Sequence, residues 1–117
     1  MNDHEPIFKQ IIEIIENDII SGKYPAEGPI ASTPQIAKSY SINQATAVKA
    51  VSKLADTGIL YKKRGIGMYV SVGAREIILR QRKEALLNSA LPALLKEAER
   101  LGISAEQLAS IIRKIKI

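Results

Sequence analysis

The stretch Ser32–Leu60, STPQIAKSYSINQATAVKAVSKLADTGIL, contains two helical repeats of apolar residues separated by a short polar turn. Helical spacing places one set of apolar side chains on an inner face: Ile36, Ala37, Ile42, Val48, Val51 and Leu54. The opposite face is polar and basic, with Lys38, Gln44, Thr46, Lys49 and Lys53. A short helix, a turn and a second helix with a basic outer face are typical of a helix-turn-helix.

A basic hairpin is predicted directly afterwards, in Ile59–Val72, ILYKKRGIGMYVSV. Two β-prone runs, predicted as strands 59–62 and 68–72, flank the tip Arg64-Gly65-Ile66-Gly67. Glycines at such a tip favour a hairpin turn. A helix-turn-helix followed by a basic hairpin predicts a winged helix.

The residues before this stretch complete the predicted domain. Pro6–Ser21 has apolar residues at three- and four-residue steps and predicts the first helix. Ile30-Ala31 is a candidate third strand beside the hairpin. The predicted fold class is mainly α with a small β-hairpin wing, a winged helix-turn-helix that occupies residues 1–72.

Residues 73–117 are predicted to form a helical extension for dimerisation. A long helix over Ala74–Leu101 contains Pro92, which predicts a kink or break near Ser89–Leu91, and Ser104 begins a capping box for a last helix. Two amphipathic helices leave apolar surface uncovered, and a second copy of the chain is the economical partner. The predicted dimerisation residues are Leu87, Leu91, Leu94, Ala98, Leu101, Leu108, Ile111, Ile112 and Ile115.

The net charge of +5 is unevenly distributed. Residues 1–22 carry five acids and one lysine, whereas residues 38–83 carry ten bases and two acids, which is the electrostatic footprint of a polyanion binder.

The chain has no cysteine and one histidine, His4, so we expect no metal site, no cofactor and no enzymatic activity. With no signal peptide and no apolar run near the ~18 residues that span a bilayer, we expect a cytoplasmic protein without a membrane partner.

The helix that follows Asn43 is predicted to enter the major groove of double-stranded DNA. Asn43 suits the N-cap position, and the first turn then presents short polar side chains beside a positive helix terminus. At the wing, glycines permit close backbone approach, and the cations suit phosphates or a minor groove. The predicted DNA-binding residues are Ser32, Thr33, Lys38, Asn43, Gln44, Ala45, Thr46, Lys49, Lys62, Arg64, Gly65, Gly67 and Tyr69.

The segments PIFKQIIEIIENDIISGKY and SINQATAVKAVSKLADTGILYKKRGIGMYV, with an RGxGxYV wing, resemble the winged helix-turn-helix of GntR-family bacterial transcription regulators over residues 6–72. The tail, with LPALLKEAERLGISAEQLASII, resembles the YtrA subfamily, whose members have two C-terminal dimerisation helices and no large effector domain. The resemblance implies a homodimeric repressor of a near-palindromic operator, often near transporter genes. It matches Asn43, Gln44, Thr46 and Lys49 to the recognition helix, and Arg64, Gly65 and Gly67 to the wing.

Two positions depart from the family pattern, and two alternatives stay open. Ala31-Ser32-Thr33-Pro34 replaces the usual Pro-Ser-x-Arg, so an arginine that often contacts DNA is absent, and Ser41 replaces a usual glycine. A winged helix can instead be a protein- or RNA-interaction module without a specific operator. A small-molecule effector is not expected, except at the dimer interface, because fewer than 45 residues follow Gly73.

Overall fold

The computed structural model describes residues 5–117, and His4 lies outside the described residues. The elements are α1 (Ile7–Ile20), α2 (Thr33–Ser39), α3 (Gln44–Asp56), β1 (Leu60–Lys63), β2 (Gly67–Val70), α4 (Ala74–Ala85), a π-helical segment (Leu86–Ala90), α5 (Leu91–Arg100) and α6 (Ala105–Lys114). This order confirms the predicted fold class. The chain divides into two compact units between Leu79 and Arg80.

The core of the first unit is formed largely by isoleucines at helical spacing. Ile11, Ile15 and Ile19 recur every four residues along α1 and are at most 4% exposed. They belong to one buried cluster with the inner face of α3, which consists of Ala47, Ala50, Val51 and Leu54. Because α3 packs against both α1 and α2, its rotation about its own axis is fixed.

Side-chain caps begin both helices of the helix-turn-helix. Ser32 Oγ accepts a hydrogen bond from the backbone N–H of Gln35 at 3.3 Å, and Gln35 Oε1 accepts one from the Ser32 N–H at 3.0 Å, forming a capping box. Asn43 caps α3, as the sequence predicts. Between the helices, Ser41 has φ 52°, a left-handed conformation that costs a residue with a Cβ about 1–2 kcal/mol.

The two strands form the predicted hairpin. They pair antiparallel, with Tyr61 opposite Tyr69 and Lys63 opposite Gly67. Each strand begins and ends within two residues of its predicted position. Gly58, at φ 80°, ends α3 in the left-handed conformation that glycine adopts without penalty and leads the chain into β1.

The predicted third strand at Ile30-Ala31 is reduced to a short contact with β2. The backbone N–H of Ile30 donates to the Met68 carbonyl at 3.0 Å, and one isolated bridge joins Pro29 to Tyr69. Because Pro29 has no N–H to donate, a regular ladder cannot continue through it. The contact nevertheless ties the segment that leads into α2 to the wing.

The first unit extends into α4. Ala74 and Ile78 are 2% and 0% exposed and belong to the same buried cluster as α1 and α3. The unit therefore ends between Leu79 and Arg80, seven residues beyond the domain end predicted at residue 72. The chain changes from strand to helix at Gly73, but the buried core of the first unit continues past that point into α4.

In the second unit, regular α-helical hydrogen bonding is interrupted close to Pro92. Leu86–Ala90 is π-helical, and Pro92 follows in the first turn of α5. Proline has no N–H, and its ring crowds the carbonyl four residues earlier. A wider π turn accommodates both features while the chain remains helical, so the interruption predicted near Ser89–Leu91 is confirmed as a π turn and not as a break.

Ile78→Ala should lower the free energy of unfolding by about 3 kcal/mol, because it removes a fully buried side chain and leaves a cavity. Urea unfolding followed by circular dichroism at one protein concentration measures the change. Leu79→Ala is the matched control: Leu79 is the next residue and is 39% exposed, so the expected loss is only about 0.5 kcal/mol. Equal losses would contradict the inclusion of the α4 start in the winged core.

Candidate nucleic-acid interface

The outer face of α3 is polar, basic and accessible. Gln44, Ala45 and Lys49 are exposed, and Thr46 is half-buried. The predicted inward position of Val48 is wrong, because Val48 is 44% exposed. The positions that face the core follow the i, i+3, i+4, i+7 pattern of one helix face, and they are Ala47, Ala50, Val51 and Leu54.

The Asn43 side chain organises the first turn of α3. Its Oδ1 accepts hydrogen bonds from the Thr46 backbone N–H at 2.8 Å and from the Thr46 hydroxyl at 2.9 Å. The Asn43 oxygen therefore serves the cap, and its amide nitrogen is the group suited to donate to a phosphate or base. Because the Thr46 hydroxyl donates to Asn43, it can meet DNA as an acceptor.

Lys49 is directed towards α1. Its Nζ lies 4.1 Å from the centroid of the Phe8 ring, a cation–π contact. Phe8, which is half-buried against the core, thus contacts a predicted DNA-binding lysine. The sequence does not reveal this contact, since it joins two helices far apart in the chain. Lys38 in the last turn of α2 and Lys53 on α3 are exposed as well.

Residues of α2 and of the wing that are predicted to contact DNA line one hollow of about 360 Å³. Ser32 and Thr33 line it on one side and Gly67 on the other. The described residues that line it have no charged side chain. Pro34, in the first turn of α2, stands where the family usually has arginine, and the hollow beside α2 is neutral.

The wing tip is an exposed three-residue turn. Lys62, Arg64 and Gly65 are exposed, and Gly65 and Gly67 have φ values of 76° and 134°. These positive φ values are strained for residues with a Cβ. The turn therefore presents Arg64 beside exposed glycine backbone.

Tyr69 packs against its neighbours on the hairpin face opposite the buried Leu60 and Val70. Its ring lies 6.1 Å from that of Tyr61, centroid to centroid, and Lys63 Nζ lies 4.2 Å from the Tyr69 centroid. Contacts of this kind across a strand pair are worth up to about 1 kcal/mol. Tyr69 thus packs against Tyr61 and Lys63 within the hairpin, and a DNA contact by Tyr69 stays a prediction.

The predicted dimerisation residues lie in the second unit, and most are exposed. Ala98 and Leu108 are the exceptions. Ala98 is 6% exposed, so it is buried within its own chain and offers little surface to a second copy. Leu108 is half-buried. The others are between 37% and 68% exposed, namely Leu87, Leu91, Leu94, Leu101, Ile111, Ile112 and Ile115.

Metal-ligating side chains do not cluster within residues 5–117. Within that range, no group of three or more histidine, cysteine, aspartate or glutamate side chains could hold a metal ion. Every buried side-chain nitrogen or oxygen of the described residues has a hydrogen-bond partner. None of the helices described is both long enough and apolar enough to cross a bilayer.

The chain is similar to several known regulators. Residues 8–70 match the family described as bacterial regulatory proteins, gntR family. Over 110 residues the chain is 27% identical to the HTH-type transcriptional repressor YtrA of Bacillus subtilis, with 94% of this chain and 84% of YtrA covered. It is 33% identical over 66 residues to the HTH-type transcriptional repressor NagR of Bacillus subtilis, with 56% of this chain covered, but it spans only 27% of NagR.

Solved structures agree with these relatives. A GntR family transcriptional regulator from Listeria monocytogenes superposes with a TM-score of 0.77 at 28% identity, covering 99% of this chain and 100% of that chain. AraR(DBD) in complex with operator ORX1 has a TM-score of 0.56 at 25% identity, covering 61% of this chain and 87% of that chain. The predicted resemblance to the GntR family and its YtrA subfamily is confirmed. With more than half of its length matched by the family model, the protein belongs to the gntR family of bacterial regulatory proteins and is a DNA-binding regulator of transcription.

Proposed function

We propose that the protein is a homodimeric repressor that binds a near-palindromic operator in double-stranded DNA. Helix α3 of each subunit enters a major groove, and the wing lies against the backbone or in a minor groove. One observation carries the proposal, namely the concentration of exposed cations on the helix-turn-helix and wing.

The charge between residues 38 and 64 is strongly positive. This range contains six bases and one acid, Asp56, and all six basic side chains are exposed. Cations placed against phosphates release the counterions of DNA, and this release drives binding. The likeness to AraR(DBD) bound to its operator supports the same use of this domain here. The six bases are Lys38, Lys49, Lys53, Lys62, Lys63 and Arg64.

A second copy of the chain is the proposed cover for the apolar surface of the second unit. Ala98 is the one buried residue between Arg80 and Ile117, a range that is described throughout. The helices of this unit therefore leave most of their leucines and isoleucines exposed and bury none of them fully. Burial in a dimer stabilises by about 1.5–3 kcal/mol for each large side chain fully covered, and two-fold symmetry matches an inverted repeat.

Repression by blocking access of RNA polymerase to the promoter is the simplest mechanism. The relatives YtrA and NagR are both described as repressors. The proposed mechanism needs no cofactor, no catalytic step and no small-molecule effector. It places the protein in the cytoplasm, where the operator is.

Selection of bound duplexes from a random pool should recover an inverted repeat. Two symmetric subunits read two half-sites, and their centres should lie about 34–36 Å apart, roughly one helical turn. Sequencing of the bound fraction measures the repeat and its spacing. A pool without any preferred duplex, together with capture of a protein or RNA partner, would instead favour an interaction module.

Arg64→Ala and Lys49→Ala should each weaken operator binding and lower the slope of log K against log salt by about 0.9 for each phosphate that the variant no longer neutralises. Fluorescence anisotropy at several salt concentrations measures both quantities. Lys23→Ala is the matched control, because Lys23 is an exposed lysine of the same unit that pairs with Asp18 at 3.8 Å. Unchanged affinity and slope in both interface variants would contradict the proposed surface.

Leu94→Glu should convert the dimer into a monomer, because it places an unpaired charge in the apolar contact. Sedimentation velocity at micromolar concentration measures the change. Val72→Glu alters another exposed apolar residue, at 73% exposure in the first unit, and should leave the dimer intact. A wild-type protein that sediments as a monomer under these conditions would be inconsistent with the proposal.

A further inference from the structure

Val48 is an apolar side chain on the surface that α3 presents to DNA. It is 44% exposed, whereas Val51, three residues later on the same helix, is 5% exposed and lies in the core. A β-branched residue lowers helix propensity, and at 44% exposure Val48 gains only part of the available burial free energy in the free protein. It gains the remainder only when another surface covers it.

The neighbours of Val48 indicate what that surface is. Gln44 precedes it by four residues and Ala45 by three, so all three side chains lie on one exposed strip of the first two turns. Within α3, which is described in full, Val48 is the one large apolar side chain that is exposed. One apolar side chain among polar and cationic ones is too little for protein docking, but it is large enough to cover one methyl group.

In the major groove, that methyl group belongs to thymine. Glutamine can make two hydrogen bonds to the N6 and N7 atoms of adenine, and the C5-methyl of thymine is the apolar group exposed in this groove. Resting on the DNA-binding function proposed above, we propose that Val48 determines specificity by packing against the C5-methyl of one thymine in each half-site. Gln44, one turn away on the same strip, then reads a neighbouring adenine.

The test removes the methyl group without changing base pairing. A fluorescein-labelled duplex with the inverted repeat recovered by selection is compared with duplexes in which one symmetry-related pair of thymines is replaced by 2′-deoxyuridine. At one such pair, wild-type affinity should fall roughly tenfold, since the substitution removes two buried methyl groups, one in each half-site. Val48→Ala should bind the thymine duplex with a similar loss of affinity and should show no further loss on the deoxyuridine duplex.

Two controls separate a binding role from a structural one. Val72→Ala changes an exposed valine outside α3 and should respond to deoxyuridine as the wild type does. Val48→Ala should unfold at a temperature no lower than the wild type, because alanine has the higher helix propensity. A clear loss of thermal stability would overturn the assignment of Val48 to the DNA-facing surface.

The remaining outcomes are also decisive. If a preferred operator binds tightly but no thymine pair is sensitive to deoxyuridine, this inference is wrong and the proposed function stands. The same conclusion applies if Val48→Ala remains as sensitive to deoxyuridine as the wild type. If no preferred duplex is recovered at all, the proposed function fails and this inference fails with it.

Discussion

The burial of one face of α3 determines which side chains form its outer face, the surface proposed to meet DNA. Ala47 and Ala50 are fully buried in the cluster that contains Ile11 and Ile15 of α1. Because alanine side chains are short, the two helices can approach closely, and a rotation of α3 would force larger or polar groups into this contact. Consecutive residues on a helix point about 100° apart, so even one position of rotation would replace the strip of Gln44 and Val48 by another set of side chains.

The wing is positioned by backbone hydrogen bonds from the segment that precedes α2. The Glu27 N–H donates to the Val70 carbonyl at 2.7 Å, and the Val70 N–H donates to the Gly28 carbonyl at 2.9 Å. This segment continues directly into the Ser32 cap of α2. The same bonds therefore fix β2 and the start of α2 relative to each other, and they explain why predicted contacts from both elements line one hollow.

Elements with a strong local signal were predictable from the sequence. The caps at Asn43 and Ser104, the glycines of the wing and the proline near the π turn act over a few residues, and the structure has each of them. The inner face of α3 was less predictable, because Ala47 and Ala50 have a weak hydrophobic signal and Val48 a strong one. Burial depends there on how closely another helix approaches, and the spacing of one helix does not contain that information.

Contacts between distant segments explain the other differences. The cation–π contact between Lys49 and Phe8 and the inclusion of Ala74 and Ile78 in the first core both join parts of the chain that have no local relation. At Ser41, by contrast, the structure explains a feature of the sequence pattern. Glycine is usual there in the family, and the observed φ of 52° gives the physical reason, since the turn between α2 and α3 requires a left-handed residue whichever side chain is present.

In the proposed dimer, specificity depends on the second subunit as well as on the outer face of α3. Gln44, Ala45 and Val48 are short or uncharged, and the arginine usual at the start of α2 is replaced by Pro34, so one subunit would read few base edges. Each good base contact discriminates by about 1–3 kcal/mol, and lysines against phosphates add affinity without sequence information. In a symmetric dimer the discrimination free energy of each half-site is counted twice, so that the selectivity ratio is squared. In the proposed complex, a subunit with so small a reading surface therefore gains much of its selectivity from a second subunit, and the exposed leucines and isoleucines of the second unit are the surface proposed to hold the two together.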